Sequence, residues 1–173
     1  PEIPKPPEAI PEIPPPPKVE LEKPPAEEKS PQIITKDIFV TALGDLRRLT
    51  ELLMEYRDKS KPFRWNVTLN VGTTQYNITI QGAVRGIPRS LQKEIRERTN
   101  GFIVIGMFTP QIIASVTGLA KAVKKLEFIV WCDEVVPDQI KGLQIPIEAG
   151  AVGTKEDLLN MIQSALFKAY EAG

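Results

Sequence analysis

Twelve of the chain's 17 prolines lie in its first 31 residues, PEIPKPPEAIPEIPPPPKVELEKPPAEEKSP. Proline locks φ and removes a backbone donor, so this stretch can build neither a helix nor a sheet ladder. The composition predicts an extended arm over residues 1–31, in the polyproline II conformation. At about 3.1 Å per residue such an arm reaches roughly 95 Å. It carries a small repeat, Pro-Glu-Ile-Pro at 1–4 and again at 11–14, and its apolar side chains are widely spaced: Ile3, Ile10, Ile13, Val19 and Leu21. Apolar points on a polar rod suit a strap whose side chains fill pockets on a neighbour. The remaining residues, 32–173, are expected to form a single α+β domain, long enough to bury one core.

Composition narrows the chemistry. The formal net charge is zero, but it is unevenly spread. The arm holds seven acidic residues against four lysines, and the rest holds 18 basic residues against 15 acidic ones. The chain has no histidine, which excludes imidazole bases, imidazole metal ligands and imidazole pH switches. A single cysteine, Cys132, rules out an internal disulfide. No apolar run approaches the ~20 residues that a membrane-spanning helix needs. No sequence motif assigns a catalytic residue, a cofactor or a metal, and the chain reads as a non-enzymatic protein.

Periodicity supplies the elements. Thr35 is a good N-cap, and Phe39, Leu43, Leu46, Leu49, Leu53 and Tyr56 recur at three- and four-residue steps, predicting a helix of about 22 residues. From Phe63 to Gln81 the period is two, broken by Gly72-Thr73-Thr74, and this predicts an antiparallel hairpin. Pro88 opens a short helix over 88–99, with Asn100-Gly101 as its C-cap. The apolar run at 102–108, a helix opened by Thr109-Pro110, and a second run at 128–132 predict a β-α-β unit with parallel strands. Pro146 confines a strand at 143–147 to an edge. Thr154 and Asp157 begin the last helix. The expected fold is a mixed sheet, with an antiparallel β-hairpin and a β-α-β unit, and helices packed on it.

Two surfaces stand out. On the hairpin, Asn66, Thr68, Asn70, Gln75, Asn77, Thr79 and Gln81 are expected to face outward with Arg64 as the only charge, a polar sheet face suited to a partner surface. Asn66 and Asn77 also head Asn-X-Thr sequons, which are glycan acceptors in an exported chain. Arg85, Arg89, Lys93 and Arg96 fall at helical spacing, a stripe able to meet phosphates. At the carboxyl edge of the parallel strands, Thr109, Asp133 and Glu134 are placed where open parallel sheets bind ligands. The leading expectation is a structural, homo-oligomeric protein. Its arm docks on neighbouring subunits, copies of itself or another scaffold protein, in a large particle such as a virion, or in a surface filament. The alternatives are a nucleic-acid-binding module using the basic stripe, and an exported domain tethered to a membrane by a segment upstream of Pro1.

Overall fold

The computed structural model describes residues 33–84 and 86–172. The arm, with Ile3, Ile10, Ile13, Val19 and Leu21, and Arg85 of the basic stripe lie outside the described residues.

The chain enters the fold as a strand. β1 spans Ile34–Gly44, where the sequence stripe predicts a helix. Its segment from Ile38 to Leu43 is buried without interruption, because it lies between two strands and under layers on both faces. A strand buried on both sides shows a continuous apolar run in place of alternation. The helix is confined to α1, Leu46–Leu52, whose N-cap Asp45 accepts a hydrogen bond from the Arg48 N–H at 3.2 Å. Gly44 marks the junction. Its φ is +101°, and a Cβ there would stand 2.2 Å from the Ile105 carbonyl oxygen, so only glycine fits this turn.

The hairpin forms as its period predicts: β2, Arg64–Val71, pairs antiparallel with β3, Thr74–Gly82. The helix α2, Arg89–Arg98, runs directly into β4, Thr99–Ile105. Asn100-Gly101 is therefore inside a strand and is not a helix cap. Gly101 lies under the Phe128 ring, and Asn100 Oδ1 accepts from the Phe39 N–H at 3.0 Å where the β1–β4 register slips. α3, Pro110–Ala122, connects β4 to β5, Phe128–Trp131, with the two strands parallel. Then come α4, Asp138–Lys141, β6, Ile147–Ala149, and α5, Lys155–Leu166, which opens with a Thr154–Asp157 capping box.

The six strands lie in the order β2-β3-β1-β4-β5-β6, all parallel except β2, so the fold is a mixed α+β sheet with helices packed on it. From β1 the chain steps out to the hairpin, then crosses back to β4 on the other side. The winding reverses between β1 and β4, as in a doubly wound sheet. One core joins α1 and α5 to Ile38, Val40, Trp65, Ile78, Ile80 and Val130. A second, on the opposite face, joins α3 and α4 to Leu43, Phe102, Val104, Ile129 and Trp131. Among the described residues, no helix is long and apolar enough to cross a membrane.

Candidate interaction surfaces

The hairpin places its alternate residues as expected at its distal end. Asn66, Thr68 and Asn70 are exposed, and Gln75, Asn77 and Thr79 are half-buried beside them. Register extends this face onto β1, where Asp37 lies opposite Asn77. The side chains are tied in a row: Thr68 Oγ1 donates to Asn77 Oδ1 at 3.4 Å, and Asn77 Nδ2 donates to Asp37 Oδ1 at 3.3 Å. Asn66 Nδ2 donates to Asp58 Oδ2 at 3.1 Å. Hydrogen bonds from the Ser60 side chain and backbone, with that from Asn66, hold the Asp58 carboxyl down at about 2. Asp37 and Asp58 were not part of the expected face, since neither belongs to the hairpin's own alternation.

The other end of the same face is closed. Gln81 and Arg64 share the row of Thr41 and are only 2% and 7% exposed, so neither belongs to the open surface. α2 covers them. Arg64 Nε donates to Gln81 Oε1 at 2.8 Å, and its Nη2 donates to Glu94 Oε1 at 2.9 Å. Arg98 Nη1 holds the second Glu94 oxygen at 2.7 Å. Both guanidiniums lie over the Phe39 ring, at 5.6 and 4.9 Å from its centroid. Burial alone would raise the Glu94 pKa. The hydrogen bonds and charges of Arg64 and Arg98 outweigh it and hold the carboxyl below its usual range.

That clamp sorts the basic stripe. Arg98 is consumed by Glu94, and Lys124 pairs with Glu97 at 3.7 Å. Arg89, Lys93 and Arg96 are exposed on α2, with no carboxylate of the described residues within 4.0 Å. Arg96 also borders a shallow apolar groove of about 460 Å³ between α2 and α3, lined by Leu43, Ala83, Val84, Ile95 and Leu119. Sequence reasoning missed this groove. Its lining comes from four separate segments, and only the folded chain brings them together.

At the carboxyl edge, Thr109 Oγ1 caps α3 by accepting from the Ile112 N–H, and Asp133 Oδ2 accepts from the Val135 N–H. Both side chains are thus turn and cap formers. Among the described residues, no group of three His, Cys, Asp or Glu side chains is arranged to hold a metal ion. Cys132 is buried just past the end of β5, and burial pushes its thiol up to about 12. No family model matches the chain, and no curated protein is significantly similar to it.

Proposed function

We propose that this protein is a non-enzymatic assembly module, in which the Pro-rich arm of one copy fastens onto the domain of a neighbouring subunit. The observation that carries this reading is the groove between α2 and α3. It is apolar along its walls and has Arg96 at its border, and Arg89 and Lys93, also without carboxylate partners among the described residues, lie on the same helix. The arm has the complementary make-up: apolar side chains separated by prolines, with an excess of glutamate. Isoleucine and proline fill such a groove through area, and the glutamates meet the basic border. A polyproline segment loses little backbone entropy on docking, because its conformation is already restricted.

The test compares the full chain with a variant whose five arm residues Ile3, Ile10, Ile13, Val19 and Leu21 are changed to serine. Sedimentation velocity should show large species for the parent and loss of those species for the variant, with the far-UV spectrum unchanged. Equal assembly by both chains would overturn the reading.

The three cations on α2 that have no carboxylate partner among the described residues favour one second reading, a nucleic-acid contact. Binding by that route weakens steeply with salt, because each phosphate contact releases counterions. Charge reversal at Arg89, Lys93 and Arg96 should then abolish it.

A further inference from the structure

The open end of the polar sheet face is short of charge. Three strands meet there in register: Asn66 lies across from Thr79, Thr68 from Asn77 and Asp37, and Asn70 from Gln75 and Thr35. Asp37 is the only charged residue among them. Soluble proteins usually intersperse both signs of charge on such a surface, which keeps copies from sticking. Here the arginines and the glutamate of the α2 clamp stand only at the closed end.

Both Asn-X-Thr sequons of the chain fall on this patch. Register sets Asn66 opposite Thr79 and Asn77 opposite Thr68, so each asparagine faces the hydroxyl residue of the other's sequon.

The fold treats the two asparagines differently. Asn66 lies on β2, the outermost strand, and is exposed. The one hydrogen bond of its amide among the described residues runs from Nδ2 to Asp58 Oδ2. An amide nitrogen carries two hydrogens, so one is free for substitution while the other keeps Asp58. Asn77 lies on β3, between β2 and β1, and is half-buried. Both ends of its amide are held, Oδ1 by Thr68 and Nδ2 by Asp37. A sugar on Asn77 has to leave between neighbours on two strands, whereas a sugar on Asn66 leaves from an exposed side chain of an outer strand. The chain's one cysteine is buried, so an oxidising compartment finds no exposed thiol to pair.

We infer that Asn66 is an N-glycosylation site and Asn77 is not, so that an exported chain carries its glycan over the charge-poor patch. The co-reactant is a lipid pyrophosphate-linked oligosaccharide. Asn66 Nδ2 bonds to C1 of the first sugar, and the bond from C1 to the pyrophosphate oxygen breaks. The lipid pyrophosphate leaves with that bond's electron pair, and the amide nitrogen gives up one proton. Thr68 supplies the hydroxyl that the acceptor motif requires two residues on. Neither the arm nor the groove between α2 and α3 takes part, so this inference stands or falls apart from the assembly reading.

The test expresses the full chain behind a secretion signal in a eukaryotic cell, and maps both the secreted protein and the protein retained in the cell. Enzymatic release of an N-glycan in isotope-labelled water converts the modified asparagine to labelled aspartate, which peptide mass spectrometry locates. Label is expected at Asn66 and not at Asn77. On a denaturing gel, the glycosidase-sensitive shift should be lost in Asn66→Gln and in Thr68→Ala, and retained in Asn77→Gln. Unlabelled Asn66 in both fractions, label at Asn77 in the secreted protein, or a shift that survives Asn66→Gln would overturn the inference.

Discussion

Replacing Arg64 by methionine tests the reading that α2 closes one end of the polar sheet face. The Arg64 side chain is 8% exposed and Glu94 is 22% exposed. Removing one partner of a buried ion pair costs about 3–5 kcal/mol, because the other charge is left desolvated. Here Glu94 keeps Arg98 at 2.7 Å and some contact with water, which reduces that term to about 2 kcal/mol. Gln81, 2% exposed, loses the donor to its Oε1, adding about 1 kcal/mol. The expected loss is therefore about 3 kcal/mol. With a urea slope of about 2 kcal/mol/M, the midpoint falls by roughly 1.5 M. Glu94→Gln removes the charge from the other side, and the double variant should lose less than the sum of the two singles, by about 1–2 kcal/mol. A loss under about 0.5 kcal/mol for Arg64→Met is what an exposed residue gives, and it would refute the buried clamp.

Three further outcomes are expected. Gly101→Ala puts a Cβ 2.2 Å from the Phe128 ring and should cost about 1–3 kcal/mol in thermal or urea unfolding; Phe128→Leu in the same chain should recover part of it, and strict additivity would contradict the contact. The folded-state pKa of Glu94 is depressed below its usual value of 4.5, so its contribution is full above that pH and is lost as the pH falls through the folded value. Acid titration of the fold should thus show a stability limb below about pH 4.5, shallower in Glu94→Gln, and an identical limb would contradict the assignment. Thr154→Ala opens the capping box of α5 and should cost about 1 kcal/mol, measured as a fall in the urea midpoint.

Local chemistry made much of this architecture legible. The hairpin declared itself by strict alternation around Gly72, and the β4-α3-β5 unit by apolar runs on either side of a Thr-Pro helix start. The first element did not. Phe39, Leu43, Leu46 and Leu49 keep helical spacing across a boundary that only Gly44 and Asp45 mark, so a central strand and the helix after it read as one stripe. The β-branched density of Ile34 to Val40 was the competing signal, and burial on both faces is what decided it. The polar face divides for a similar reason. A period of two tells which way Arg64 and Gln81 point, but whether a helix lies over them depends on α2, about 10–30 residues further along the chain. The groove is a property of assembled elements, and no single segment of sequence carries it.

The central claim is that the arm works on another molecule, and intermolecular paramagnetic relaxation measures this directly. A chain with Ala9→Cys, spin-labelled and isotopically silent, is mixed with an isotope-labelled parent chain. The account predicts broadening of parent amides around Leu43, Val84, Ile95 and Leu119. No broadening of the parent amides in the mixture, or broadening that appears only when the spin-labelled chain is itself isotope-labelled, would contradict it.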